Sequence, residues 1–504
     1  MEREQERIHR SKKNIKYGII LQTITILSNF IIRYFMLKNI GMVDLSLNVL
    51  FTEIIAFLSL TELGIGTIIT YHLYQPLAVN EYERIGKLMN LFKKVYSLIS
   101  VIILVIGLFV GYHIDFFLKG IHINISYVRL VFFVYIIRSA SSYLFAYNGL
   151  LLYADQKNHV AHKIAIITRL MMTGISIFTI IVSRSLLAYI LIEMLATIIT
   201  NMLTAKEVKR IYSHIPNNKS FTWQESINIL KDVRNTIIGS ISGKITNSTD
   251  NILISKIVST VSVGYYSQYA MILNGISQIF NQIQNAIKGS IGNILVTEEP
   301  EYCDKTLKQM IKGILFPSLI FACGFCGCST QFIQMIYGDG YELANEILLI
   351  LSINFFYDSI KNPIWTMVQA SGLFQKDKNI SIIGSLANLM LSIVLGIQFG
   401  MIGIFIGTLS SYIIQAELKI RLLYKETLRI SPKSFLYTWY KMNILGCSMI
   451  LFVFLVIPKL NICQTKSSLL NFLIAGFLSS IVPGICYLCW LAKTKAGGIL
   501  YVEN

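Results

Sequence analysis

The sequence predicts an all-α polytopic membrane protein with about 14 transmembrane helices: two parallel six-helix lobes and two extra C-terminal helices. Three observations predict it. The 504 residues are 54% hydrophobic and only 14% charged, where a soluble protein carries about 25% charged residues, and apolar runs long enough to cross a bilayer recur along the whole chain. Lys and Arg gather in alternate loops, which is a topology signal. The two halves also share a pattern of cation, glycine and polar tip.

The expected spans are 17–37, 45–71, 95–117, 128–153, 161–183, 186–206, 235–257, 261–294, 311–332, 343–373, 380–398, 400–423, 440–457 and 469–491. The first has no small-residue cleavage site behind it, so it is expected to remain as a helix rather than a signal peptide. The fifth and sixth join tightly around Arg184, the eleventh and twelfth at Phe399 and Gly400. The tenth is expected to be one helix over 357–378 ending in a polar tip, FQKDK. Pro363 removes a backbone donor there and crowds the carbonyl of Ser359, so a kink is expected. The expected domains are a basic segment 1–16, an N-lobe 17–206, a linker 207–234, a C-lobe 235–424, and 425–504 with the last two helices and a tail.

Net charge is +17. Nucleic-acid binding would gather that charge on one soluble domain, whereas here it lies in short loops. Of the 44 Lys and Arg, 31 lie on one side of the expected spans, and only Lys38, Lys119, Arg184, Lys256, Lys459 and Lys466 on the other. The asymmetry places both termini in the cytoplasm. The cysteines of ACGFCGC, and Cys486 with Cys489, have ligand-like spacing. No His or carboxylate shares those apolar segments, so small packing residues are the reading and no metal is expected.

Seven cations fall inside spans: Arg33, Arg129, Arg138, Arg169, Lys244, Lys288 and Lys361. Arg129 and Lys288 lie where they can reach an interface. Arg138, Lys244 and Lys361 are near mid-depth, where a charge costs about 2.5–3.5 kcal/mol on insertion scales. They need water, a counter-ion or an anionic ligand. Arg138 stands eleven residues before Gly149, and Lys361 eleven before Gly372; the polar tips ADQK and FQKDK follow. Spans 1–6 and 7–12 therefore read as two copies of the same orientation, enclosing a cavity with matched cations.

Polar stripes agree. Asn274, Gln278, Asn281, Asn285 and Lys288 recur on one helical face, as do Lys244, Asn247 and Asn251, and Gln22, Asn29 and Arg33. A lone Asn is more often glue between helices; five on one face read as a cavity lining. Glu53, Glu193, Asp250 and Asp358 are candidates for coupling to H⁺ or Na⁺. Asp358 is three residues from Lys361, so a plain ion pair is the simpler reading. Glu62, beside Gly64, reads as a cap or hinge. No other cofactor is expected.

Fixed cations in an apolar protein suit a substrate with a strong anionic group, phosphate or diphosphate above all. Amides, hydroxyls, Trp365 and the abundant Tyr suit a sugar. A lipid-linked saccharide diphosphate combines these with a tail that can stay in the bilayer. The chain resembles the bacterial polysaccharide-export flippases, and more distantly the lipid II flippases and the multidrug-and-toxin-extrusion transporters. The resemblance rests on LSLTELGIGTIITYHLYQPLA, LYADQK, TDNILIS, VGYYSQY, NPIWTMVQASGLFQKDK and GMIGIFIGTLSS, spread over both halves. It implies two lobes, a cationic cavity, alternating access, and an arginine in the first helix where Arg33 stands. It also implies movement of undecaprenyl-diphosphate-linked repeat units of capsule, O-antigen or similar glycans across the cytoplasmic membrane. A partner polymerase is one expected associate, and the lobes' pseudo-symmetry suits a monomer.

Two other readings compete with this one. A drug/cation antiporter of the same fold would favour carboxylates and aromatics in its cavity, and the mid-depth charges here are mainly Lys and Arg. A membrane polymerase would need an active-site domain outside the bilayer, and the external loops are about 5–12 residues long. No enzyme activity is expected.

Overall fold

A computed structural model describes residues 2–59, 65–216, 220–222, 224–227, 229, 249–456 and 468–496. Among them there is no β-strand. The chain divides into two compact units, Met1–Gly264 and Tyr265–Asn504. The linker expected at 207–234 is described at 207–216, 220–222, 224–227 and 229, and its first residues continue the helix Leu186–Ile211.

The N-terminal unit contains α1 (Glu2–Asn39), α2 (Met42–Leu58), α3 (Ile65–Ala78), α4 (Tyr82–Tyr112), α5 (Ile125–Ala154), α6 (Asn158–Ser183) and α7 (Leu186–Ile211). Helices α2 and α3 lie along the second expected span, and α4 to α7 correspond to spans three to six, with α4 ending at Tyr112 and a 3-10 turn over Ile114–Phe117. Local chemistry sets the ends. Asn124 caps α5 by accepting from the Ser126 N–H at 2.9 Å, and Ser185 accepts from the Ala188 N–H at the start of α7. Between α6 and α7 only Arg184 and Ser185 turn the chain, Arg184 with φ of 48°, so the tight connection expected there is present. The interior of the unit is a cluster of Leu73, Ile85, Phe92, Tyr96, Tyr143 and Leu152. Packing such side chains closely is what holds helices together where lipid competes equally for apolar surface.

A second contact at the end of this unit explains the LYADQK motif. Asp155 lies at the C-cap of α5. It accepts from the Tyr212 hydroxyl at 2.6 Å and pairs with Lys157 at 2.6 Å and Arg10 at 3.5 Å. One carboxylate thus ties α1, the α5–α6 turn and the end of α7 together.

The seventh expected span is described only from Thr249, as a helix to Leu253 and a π-turn over Ile254–Val258. Helix α8 (Thr260–Thr297) follows, and the unit boundary falls within it. The C-terminal unit continues with α9 (Pro300–Tyr337), α10 (Asn345–Ala370), α11 (Phe374–Leu423), α12 (Lys433–Val456) and α13 (Ser468–Ala496). Pro300 opens α9 at a position where a missing N–H costs nothing. Phe356, Phe405, Tyr424, Phe435 and Trp439 give the unit a buried aromatic interior.

Two elements decide the geometry of this unit. Helix α10 runs through Pro363 and stops at Ala370, with Gly372 at φ of +70°. The tenth helix therefore ends eight residues before the expected Lys378. A glycine just past the last turn takes the left-handed conformation that closes a helix, and FQKDK opens the next one instead. Helix α11 is a hairpin. Gly400 breaks it with φ 61° and ψ −137°, a region open essentially to glycine. The two arms then pack antiparallel: Ser392 Oγ donates to the Ile404 carbonyl at 3.0 Å, and Asn388 Nδ2 to Thr408 Oγ1 at 3.1 Å. This is the expected junction of spans eleven and twelve. By length and composition, eight described helices can cross a membrane, the hairpin Gln375–Leu428 counting as one.

Candidate functional site

In the N-terminal unit the site is built on Glu193, on α7. It is buried to 4% exposure. Oε2 lies 3.4 Å from Arg138 Nη2 on α5 and 3.4 Å from Arg169 Nη1 on α6. Oε1 accepts from Ser176 Oγ at 3.2 Å. Arg138 Nε also donates to Thr197 Oγ1 at 3.2 Å, and Arg169 Nη2 to Asn29 Oδ1 on α1 at 2.6 Å. The helical rise explains the convergence. Glu193 and Thr197 are one turn apart on α7 and meet one arginine together. Two guanidiniums share one carboxylate, so one positive charge is left in excess. Both arginines and Glu193 line a cavity of about 280 Å³, with Thr168, Thr197 and Asn201. Arg169 Nε is buried and makes no hydrogen bond among the described residues. The arrangement can accept an anion, because donors outnumber the acceptors present.

The other polar residues expected in this unit are distributed. Arg33 is half-buried on α1. Glu53 accepts from Asn251 Nδ2 at 3.3 Å, while the Asn251 Oδ1 is buried without a partner among the described residues. Asp250 is half-buried and Gln22 is exposed. Arg129, at its span end, pairs with Asp115 at 3.6 Å and lies over the Tyr112 ring. Lys244, Asn247 and Glu62 lie outside the described residues.

In the C-terminal unit the site is built on Lys361, which is 6% exposed on α10. Its ammonium pairs with Asp358, three residues before it on the same helix. It also lies 4.1 Å from the centre of the Tyr412 ring and 5.0 Å from that of Trp365. A second cation shares the indole: Lys419 Nζ stands 4.8 Å from the Trp365 ring, is 1% exposed, and pairs with Asp377. A desolvated ammonium over an aromatic face gains roughly 2 kcal/mol, which offsets part of the cost of burying it. Here each lysine has one carboxylate and at least one ring.

The polar stripe of α8 meets α10. Asn362 Nδ2 donates to Asn281 Oδ1 at 3.3 Å, Thr366 Oγ1 to Gln284 Oε1 at 3.3 Å, and Lys288 Nζ to Gln369 Oε1 at 2.8 Å. These contacts recur at nearly the same offset, so one face of α8 runs along one face of α10. Asn274 and Gln278 on the same helix are exposed. The Asn285 side chain lies outside the described residues.

The sequence does not single out Thr197, Ser176, Tyr412 or Lys419, and it marks Arg169, Glu193 and Trp365 without these partners. Arg169, Glu193, Thr197 and Ser176 surround Arg138; Trp365, Tyr412 and Lys419 surround Lys361. In the sequence Lys419 lies near the end of the twelfth expected span, 400–423, among the basic residues that run on to Lys441. Its burial follows from the Gly400 hairpin, which brings it opposite Asp377, and no local pattern announces that. Arg138 packs against α7 and Lys361 against the second arm of α11. The described cysteines Cys303, Cys323, Cys326, Cys328 and Cys447 are free thiols, and no group of three or more potential metal ligands occurs among the described residues.

No protein-family model matches the chain, and no curated protein does. Solved structures do. An inward-facing multidrug resistance transporter of the MATE family, of the MOP superfamily, matches with a TM-score of 0.66 and 14% identity over 83% of this chain and 99% of its own. The lipid II flippase MurJ in an inward closed conformation matches with a TM-score of 0.66 and 15% identity over 95% of this chain and 99% of its own. The Vibrio cholerae MATE transporter VcmN, in a mutant form, matches with a TM-score of 0.58 and 13% identity over 84% of this chain and 99% of its own. These neighbours are transporters and a flippase, not enzymes, and this chain is a multi-pass membrane protein with the fold they share.

Proposed function

We propose that this protein is a flippase for undecaprenyl-diphosphate-linked oligosaccharide repeat units. It moves them by alternating access from the cytoplasmic to the outer leaflet for surface polysaccharide export. The observation that carries the reading is the excess of cation in the Arg138–Arg169–Glu193 cluster, set within spans that should otherwise exclude charge. A diphosphate offers the acceptors that this cluster lacks. Lys361, stacked beside Trp365 and Tyr412, adds a cation and the aromatic faces that suit a sugar. The extent of the structural likeness supports the same side: the match to the lipid II flippase spans 95% of the chain, the MATE matches 83% and 84%.

In this reading Arg33, Arg138, Lys244, Lys288 and Lys361 contact the charged head, and the amides at Gln22, Asn29, Asn247, Asn251, Asn274, Gln278, Asn281 and Asn285 contact the sugar. Glu53, Asp250 and Asp358 are the places for H⁺ or Na⁺ coupling. Spans 1–6 and 7–12 act as the two lobes, both termini lie in the cytoplasm, and the protein works as a monomer beside a polymerase. The experiment is deletion of the gene, extraction of polyprenyl-linked glycans, and assignment of their leaflet. Complete repeat units held in the cytoplasmic leaflet with loss of surface polysaccharide is the expected result. An unchanged lipid pool overturns the reading.

A drug/cation antiporter is the second reading. It is favoured by the 0.66 TM-score to a MATE structure and by carboxylates at Glu193 and Asp358 inside helices. New sensitivity to cationic drugs in the same deletion strain, with glycans unchanged, selects it.

A further inference from the structure

A groove on the C-terminal unit has a charge pattern that the transport reading does not use. Helices α9, α12 and α13 line a groove of about 370 Å³. One end carries Lys312 from α9 with Tyr437 and Lys441 from α12. The other end is apolar: Leu319 on α9, Leu445 and Met449 on α12, and Pro483 on α13. At 1.5 Å per residue, Lys312 to Leu319 spans about 10.5 Å and Lys441 to Met449 about 12 Å along their helices. The two ends are therefore separated by depth, with charge at one level and hydrocarbon below it.

The lysines are available. Neither Lys312 nor Lys441 makes a hydrogen bond or ion pair among the described residues. Nearby carboxylates are already engaged: Asp304 pairs with Lys308 and accepts from the Tyr424 hydroxyl, and Glu417 pairs with Arg421 and accepts from Tyr440. Lys308 further donates to Ser434 at 3.3 Å, which joins α9 to α12 beside the charged end. Tyr437 is 71% exposed and Leu445 46% exposed, so the groove opens outward along its length. A polar ring beside two ammoniums is suited to the interfacial layer of a bilayer, and the apolar floor to its acyl region.

We infer that this groove is a binding site for an anionic glycerophospholipid, its phosphate held between Lys312 and Lys441 and an acyl chain laid over Leu319, Leu445 and Met449. Charge complementarity selects the class. A zwitterionic lipid would place a second cation against the two lysines. A free phosphate would leave the apolar floor empty. The inference is independent of the cargo, because none of these residues belongs to the clusters around Glu193 or Lys361.

The test is native mass spectrometry of the full chain in detergent, titrated with phosphatidylglycerol, with phosphatidylcholine, or with inorganic phosphate alone. Phosphatidylglycerol is expected to bind with preference over phosphatidylcholine. Lys312→Ala with Lys441→Ala is expected to weaken it by roughly thirtyfold, while Lys312→Arg with Lys441→Arg keeps it. Lys12→Ala with Lys13→Ala, on α1, leaves it unchanged. Leu445→Trp fills the floor and weakens it without changing charge. Equal binding of both phospholipids, an unchanged affinity in the double alanine variant, or displacement by inorganic phosphate alone overturns the inference. If the alanine variant does not fold, the arginine and Leu445→Trp variants carry the same comparison.

Discussion

Arg138 Nη2 stands 3.4 Å from Glu193 Oε2, and the carboxylate it meets is almost wholly withdrawn from solvent. Arg169 reaches the same oxygen at 3.4 Å. The pair is thus one side of a triad, and removing its centre leaves two guanidiniums facing each other. Glu193→Ala is expected to destabilise the protein on the order of 3 kcal/mol, read as a lowered thermal midpoint in detergent. A midpoint equal to the wild type would mean that Arg138 and Arg169 find other partners.

Removing one arginine has the opposite character. Arg138→Gln leaves Glu193 paired with Arg169 and Ser176. Stability should change by less than in Glu193→Ala, while export falls by roughly ten- to a hundredfold through loss of a charge-assisted contact to the cargo. The check is surface polysaccharide beside membrane abundance of the variant. Full export from Arg138→Gln combined with Lys361→Ala sinks the assignment of these cations to substrate.

Trp365 holds two lysines at once, at 5.0 and 4.8 Å. Trp365→Leu keeps apolar bulk and removes the ring. Each ammonium loses about 1–2 kcal/mol of attraction, so the thermal midpoint should fall, and Trp365→Phe should recover part of it. Identical midpoints for the Leu and Phe variants would show that packing alone matters there.

Gly400 sits at φ 61° and ψ −137° between the arms of α11. Gly400→Ala is expected to cost about 1–3 kcal/mol of backbone strain. Because the hairpin sets Lys419 against Asp377, the variant should also become more accessible to an amine-reactive reagent at Lys419. Unaltered labelling with unaltered stability counts against the role given to the turn.

At the end of α7, burial and the neighbouring Asp155 push the Tyr212 hydroxyl well above the usual tyrosine range. An acid with a raised value favours its neutral form when folded. Its contribution is therefore complete below about pH 10, the unfolded value, and is lost only as pH rises towards the folded one. Tyr212→Phe should cost about 1 kcal/mol, constant between about pH 6 and pH 9. A deficit that changes across that window counts against a Tyr212 hydroxyl that stays neutral throughout it.

Much of this architecture was legible in the residues. Apolar runs of bilayer length dictate helices, because every backbone donor and acceptor must be satisfied within the segment. The turns at Arg184 and Gly400 were legible as well, since each separates two runs with no room for a loop. Lys361 and Asp358, three residues apart, announced their own pairing. Such features depend on neighbours along the chain, and helical geometry fixes those neighbours in advance.

Contacts across helices were decided by tertiary structure. Nothing local distinguishes Glu193 from Glu53 or Asp250, yet it is Glu193 on which α5 and α6 aim their arginines. Lys419 reads as a cation at the end of a span until the hairpin returns it to Asp377 and Trp365. The tenth helix reads through to Lys378, and Gly372 stops it at Ala370 because the next arm must start there. A mid-span charge tells the sequence reader that a partner is needed; which residue serves depends on helix rotation and register, and only packing between helices sets those.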